Sequence, residues 1–519
     1  MGDLGFVLDM QNVKGVILVF IIYTICILAM GLYVRVKDNK MSENDKLASF
    51  LNGGGNLGPV AIGMLVVTNG LSSGAMIGGP GLGYSTGFIW SITVYAGFMN
   101  ALFLLAAIGK KMAILKARTG VQTMLGAIGH RYESQTVAIM LGVAIVVFLI
   151  PNIGSQLQGG AKLFAVVSGT GNYQLGLFIF AAITILYTIS GGMKSLARIA
   201  VIQGFIMLIS VIALYISTRG QLTTQYGSFE DAMRFIAANK PSMVTAFTWT
   251  PLYAFGTALT MSFASTALPN FVVNTFAYNK SKIMAQGIVI STLAFMLIQS
   301  IMSGIGPLGY AAIQTLSSGD YVNPYLTMVN LPALLSGIVV AGSSAAIQST
   351  AASMMLIVAT AIVKDIYVGF INPKADLIKV NKTMKLLTFL AGIAALLLAL
   401  FPSPLMQIII NFSNGGMICS LWVPLVMGLY SKRVTKSGAF WSALLGMGTY
   451  LGLFIITKTP SLASVYEEVT GNCHPVVIGF LISVLSMLIV SKFTKKVKLG
   501  TLQVWFGQEY DERYARKNS

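Results

Sequence analysis

Residues 58–84 read GPVAIGMLVVTNGLSSGAMIGGPGLGY. Both ends of the stretch are apolar, as in a membrane-crossing helix. Its middle, Thr68-Asn69-Gly70-Leu71-Ser72-Ser73-Gly74, is polar and glycine-rich. Each backbone group left unpaired in hydrocarbon costs several kcal/mol, so an unwound centre survives only where its carbonyls and amides face protein, water or an ion. Two readings are open: a straight helix that uses small residues for close packing, or a helix broken at the bilayer midplane to form a binding site.

The surroundings are those of a polytopic membrane protein. The 519 residues are 55% hydrophobic and 10% charged, and mean hydropathy is +0.78, far from a soluble domain. Spans of about 20 apolar residues cross a hydrocarbon core of about 30 Å. Thirteen are legible, at 15–34, 58–84, 88–109, 135–168, 173–190, 196–217, 251–276, 284–310, 331–363, 384–401, 404–430, 438–457 and 474–492. The first lacks a small-residue cleavage pattern and reads as a retained span. The net charge of +18 does not point to nucleic acid, because the basic residues sit in short runs between spans. Only Lys14, Arg219, Arg234, Lys240 and Lys458 fall on one side of the bilayer. The asymmetry is about five to one, which places the N-terminus outside and the C-terminus in the cytoplasm of a cell membrane. Segments 121–132 and 218–250 and the tail stretch TLQVWFGQEY read as surface amphipathic helices. Cys26, Cys419 and Cys473 are far apart and form no disulfide or metal pattern.

All sixteen acidic residues read as lying in loops, tails or at helix ends. The two histidines, His130 and His474, fall in loops. Proton coupling needs a titratable group and a cationic substrate needs a partner charge, so neither is expected. Hydroxyls, amides and backbone carbonyls are left to handle any ion.

Span 251–276 has a similar character, GTALTMSFASTALPN, with Pro269 near one end. Two interrupted helices at corresponding places in two halves point to a substrate site between inverted repeats. The expected division is an extra helix and first loop at 1–57, a first five-helix repeat at 58–217, an outer loop at 218–250, a second repeat at 251–430, two helices at 431–492 and a basic tail at 493–519. Span 331–363 gathers Ser343, Ser344, Gln348, Ser349, Thr350 and Ser353. These either bond back to carbonyls one turn earlier or form a ligand set for a cation. Asn152, Ser155, Gln156 and Gly159 share one helical face, which either lines a cavity or packs through amide bonds. Lys162 either snorkels to the interface or supplies a counter-charge to an anionic substrate. Asn411, Ser413 and Asn414 are again polar at mid-span.

The chain resembles the sodium:solute symporter family, most closely its sodium/pantothenate branch. The resemblance runs over about 15–492 and rests on IGGPGLGYSTG at 77–87, RY at 131–132, SQLQGGAKLF at 155–164, YTISGGMKS at 187–195, IQG at 202–204, QSTAASMML at 348–356, KDIY at 364–367 and SKRVTKSGAFWSALLG at 431–446. It implies an all-α, leucine-transporter-type fold of two inverted five-helix repeats, with one helix before and two after. It also implies a sodium site from backbone oxygens of Thr68, Leu71 and Ala346 and hydroxyls of Ser349 and Thr350, with Ser72 and Ser73 where relatives contact substrate. Three positions depart from the family pattern. Ile199-Ala200 replaces a Thr-Asp pair, Gln348 replaces a methionine and Asn274 replaces an arginine. The missing aspartate argues for one sodium rather than two.

The expected function is sodium-coupled import of a small organic solute by alternating access. The solute is expected to be a carboxylate such as pantothenate, bound by Ser72, Ser73, Asn152, Gln156, Lys162, Asn411 and Asn414. A sodium-independent facilitator or exchanger on the same fold is the alternative. No motif for nucleotide binding or hydrolysis is legible, so an enzyme is not expected. One sodium ion, no organic cofactor, the lipid bilayer as surroundings, no nucleic acid and a monomeric state complete the expectation.

Overall fold

The computed structural model describes residues 10–38, 58–245, 248–277 and 280–507, apart from the side chains of 190–198 and of parts of the first helix. The loop at 39–57, the end of the tail and the side chains of Lys194 and Arg198 therefore lie outside the described residues. Every regular element among the described residues is helical.

The chain begins with α1 (Met10–Asp38), and residues 58–84 form two helices. α2 (Pro59–Gly70) ends where Leu71 turns extended, at φ −89° and ψ 95°. A widened turn, Gly74–Gly78, leads into α3 (Gly79–Thr86). The two halves differ in direction by 61°, which removes the straight-helix reading. α4 (Phe88–Thr119) is a span with local widening. The expected interfacial segment is α5 (Met124–Tyr132), and α6 (Gln135–Val167) follows it, with Pro151 inside. Thr123 and Ser134 start these two helices by accepting N–H bonds from Gly126 and Val137, as N-caps do.

The spans expected at 173–190 and 196–217 fall in one helical run, α7 (Tyr173–Tyr226). Tyr173 donates to the Ala399 carbonyl and Tyr226 to the Ala311 carbonyl. The loops that follow those two carbonyls touch each other, since Ser318 Oγ donates to Pro404 O. Both ends of α7 therefore lie at one end of the bundle. A straight rod of this length, about 80 Å, cannot do that, so the run crosses and returns.

α8 (Phe229–Asn239) is the amphipathic helix expected in 218–250. α9 (Pro251–Ala267) stops at Leu268, and Pro269 starts a short turn of helix. Proline disfavours helical geometry in the residue before it, so this second break falls where the sequence puts it. α10 (Ser281–Ala312), α11 (Val322–Asn330) and α12 (Ala333–Ile371) follow. The sequence reading ends this last span at 363, but the helix runs on to Ile371, so Asp365 lies inside it. Asp365 is buried and accepts a 2.6 Å hydrogen bond from Thr123 Oγ1. α13 (Leu377–Ala399), α14 (Met406–Tyr430), α15 (Lys436–Lys458), α16 (Pro460–Thr470), α17 (Pro475–Phe493) and α18 (Leu499–Phe506) complete the chain.

Among the described residues, nine helices are long and apolar enough to cross a membrane, and the bent pair α2–α3 makes a tenth. α12 packs against α1, α2, α6 and α7, and α6 packs against α14. These two long helices flank the broken one and position its exposed backbone.

Candidate functional site

The break between α2 and α3 strands several backbone groups, which find partners on neighbouring helices or on Ser72 within the break. The Ser73 N–H donates to Gln156 Oε1 on α6 at 2.8 Å. The Gly74 N–H takes Ser72 Oγ at 3.1 Å. The Thr68 carbonyl accepts from Ser349 Oγ at 2.9 Å and Thr350 Oγ1 at 3.3 Å, both on α12. Thr350 Oγ1 also lies 3.4 Å from Asn69 O, and Ser349 Oγ lies 3.1 Å from Ala346 O. The Ala75 and Met76 N–H groups both donate to Ser72 O, passing over the Leu71 carbonyl.

Thr68, Ala346, Ser349 and Thr350 thus form one buried cluster of neutral oxygens, with Leu71 at the break beside it. The carboxyl end of α2, the negative end of its dipole, points at the cluster. Hydroxyls and carbonyls suit a hard monovalent cation, so the donor set fits sodium. Ser353 bonds back to the Thr350 carbonyl, while the Ser343 and Ser344 hydroxyls are buried without a partner. The six-residue cluster of the sequence therefore divides: Ser349 and Thr350 reach across to α2, and the others do not. Among the described residues, no three His, Cys, Asp or Glu side chains gather to hold a metal.

Next to the cluster lies a cavity of about 80 Å³. Ser72, Asn152, Asn414 and Thr350 line it. Ser73, Gln156, Lys162 and Asn411 do not. Ser73 and Gln156 are spent on the break itself. Asn411 accepts a 2.8 Å bond from Gln407 Nε2. Asn152 donates to Ser413 Oγ and Asn414 Oδ1, so its helical face both lines the cavity and packs through amides. Sequence reasoning missed Asn69, Trp90, Asn100, Gln299 and Gln407 as lining residues. Gln407 was within reach, being one helical turn before Asn411 on the same face.

Lys162 neither snorkels nor faces the cavity. Its Nζ meets Asp320 Oδ2 at 2.6 Å and the carbonyls of Ser403 and Pro404 at 2.9 and 3.4 Å. The same carboxylate oxygen accepts from the Met406 N–H at 3.0 Å. Asp320 is in a loop, as its sequence suggested, but is fully buried, and burial pushes its carboxyl above the usual range against the pull of Lys162. Gly319 and Gly81 allow the approach: a Cβ on Gly319 would stand 2.3 Å from the Gly81 carbonyl oxygen. This buried ion pair locks α6, the turn before α11, the start of α14 and α3 together on one side of the cavity.

The three family departures are also placed. Ala200 packs on Leu65 of α2. Asn274 accepts a 3.2 Å bond from Asn69 Nδ2. Gln348 is buried, and its Nε2 has no partner.

The model of the sodium:solute symporter family matches residues 50–446. The chain belongs to the sodium:solute symporter family. Among curated relatives, the sodium/pantothenate symporter of Escherichia coli is 28% identical over 94% of this chain and 98% of its own length. That of Haemophilus influenzae is 27% identical over 84% and 90%. The osmoregulated proline transporter of Bacillus subtilis is 24% identical over 92% and 94%. Among solved structures, a Na+-coupled sialic acid symporter in a substrate-bound outward-open state aligns with a TM-score of 0.71 at 17% identity, covering 93% of this chain and 99% of that one. A nucleobase-cation-symport-1 family transporter in a closed conformation aligns at 0.55 and 11% identity, over 88% and 97%. This symporter-family member is a multi-pass membrane transporter and not an enzyme, with sodium as the family's coupling ion.

Proposed function

We propose that the protein imports a small organic carboxylate, with pantothenate the leading candidate, coupled to one sodium ion. The observation that carries this reading is the broken helix: the Thr68 carbonyl meets Ser349 and Thr350 beside an uncharged, amide-lined cavity. A sodium ion held by Thr68, Leu71, Ala346, Ser349 and Thr350 would tie α2 to α12. Ser72, Asn152 and Asn414 would then meet the solute, and the amino end of the Gly74–Thr86 segment, the positive end of its dipole, would favour a carboxylate. Since Lys162 is engaged by Asp320, no side-chain ammonium serves that carboxylate. Ala200 against Leu65 is an apolar contact, which supports a single sodium.

In the proposed frame, residues 58–217 and 251–430 are inverted repeats, the N-terminus is outside, and access alternates about the cavity. One sodium moving inward with one monoanion is electroneutral, so accumulation draws on the sodium concentration ratio alone. The test is uptake into proteoliposomes with pantothenate, sodium against choline outside. Sodium-dependent accumulation is expected. Equal uptake in choline would refute coupling and favour the facilitator.

A further inference from the structure

Three of the residues lining the cavity carry a polar atom without a partner, Asn69 Oδ1 among them, and the other two sit around one turn of helix. Gln407 on α14 is 3% exposed; its Nε2 donates to Asn411 Oδ1, and its Oε1 has no partner. That oxygen lies against the start of the second half of the broken helix. A Cβ built on Gly74 or Gly78 would come within 2.8 or 3.2 Å of it. Trp90 on α4 is 1% exposed and its indole Nε1–H also lacks a partner. It lies against the next residue, Gly79, whose Cβ would stand 3.3 Å away. An acceptor from one helix and a donor from another therefore flank the same glycine-rich turn. A buried polar group without a partner is costly, and native interiors leave few. Two of them in a transport cavity mark where a ligand's polar groups go.

We propose that Gln407 and Trp90 recognise hydroxyl groups of the substrate. Gln407 Oε1 accepts from a substrate O–H or amide N–H, and the Trp90 Nε1–H donates to a substrate oxygen. The engagement of Gln407 Nε2 by Asn411 leaves the oxygen as the free end, which sets its role. This deepens the proposed function and rests on its reading of the cavity. The cavity lining holds no charged side chain, so an ammonium donor would lack a partner charge, whereas a neutral hydroxyl or amide N–H needs none. The solute class is therefore one that carries a neutral hydroxyl or amide N–H together with an acceptor oxygen, rather than a plain aliphatic carboxylate. The glycines at 74, 78 and 79 keep the turn bare enough for the solute to reach both groups.

The experiment uses the full chain, purified, with Gln407→Met and Trp90→Phe as variants that keep side-chain size. The probes are pantothenate, its analogue lacking both hydroxyls, and proline, each read by thermal shift and by proteoliposome uptake in sodium. Sodium alone is expected to stabilise parent and variants equally, which reports an intact fold and ion site. The parent is expected to prefer pantothenate to the deoxygenated analogue by about 10- to 100-fold, the effect of leaving a buried polar group of the site unpaired. In each variant pantothenate falls toward the analogue, and the analogue itself changes little. If both variants bind pantothenate as tightly as the parent, the recognition pair is overturned while the pantothenate reading stands. If the parent does not distinguish the analogue, the pair is overturned as well. If the parent responds to proline and not to pantothenate, both fall together.

Discussion

Removing Lys162 should cost stability far more than it costs substrate recognition. The Lys162 and Asp320 side chains are 4% and 0% exposed, and their contact is 2.6 Å. In Lys162→Met, Asp320 keeps only the Met406 N–H for that oxygen, while its Oδ1 already has no partner. Breaking a buried pair by removing one member costs about 3–5 kcal/mol. In a detergent melt that corresponds to a fall of roughly 3–5 °C. Asp320→Asn should cost less, because Lys162 retains the Ser403 and Pro404 carbonyls. The double variant should be more stable than the sum of the two losses implies, by about 2 kcal/mol, as expected for groups in direct contact. The deficit of Lys162→Met should also shrink as pH falls, since a lone buried carboxylate is relieved by protonation. A Lys162→Met protein that melts with the parent, yet loses its thermal response to pantothenate, would place the ammonium in the substrate site and refute this reasoning.

Three further outcomes are expected. Ser349→Ala with Thr350→Val should abolish most of the stabilisation by sodium, about 2.7 kcal/mol at a hundredfold excess over Kd; a melting curve that still rises with sodium would move the ion elsewhere. Gln156→Leu strands the Ser73 N–H at the break and should cost about 1–3 kcal/mol, read as a lower melting temperature with or without sodium. His474 starts α17, its Nδ1 accepts from the Val476 N–H, and burial pushes it down to about 4. The folded protein thus holds fewer protons than the unfolded chain between about pH 4 and 6.5. Its contribution is complete above pH 6.5 and is lost as pH falls toward 4, so His474→Gln should flatten the melting profile over that window relative to the parent.

The sequence made the helix break legible because six polar or flexible residues around Leu71 interrupt an apolar span, a local signal. The Ser349-Thr350 pairing was legible through motif likeness, since nothing in the spacing names Thr68 as its partner. What escaped was long-range. Lys162 and Asp320 are 158 positions apart, and no periodicity announces that a loop aspartate will fold under α3. Asp365 escaped because hydropathy falls at residue 363 while the helix continues. The cavity amides Asn69, Asn100, Gln299 and Gln407 escaped because they come from four different spans. Only the assembled bundle shows that they converge.

α6 holds three contacts in register. Asn152 ties to α14, Gln156 holds the Ser73 N–H, and Lys162 holds Asp320. At the rise of an α-helix, Gln156 and Lys162 stand about 9 Å apart along the axis. The helix thus works as a ruler whose graduations are side chains. Its rigidity passes any axial slip at the loop end to the amide that keeps the break open. A one-residue insertion between 156 and 162 would turn Lys162 by about 100° relative to Gln156. The lock and the break would then be out of phase, although every residue that forms them would still be present.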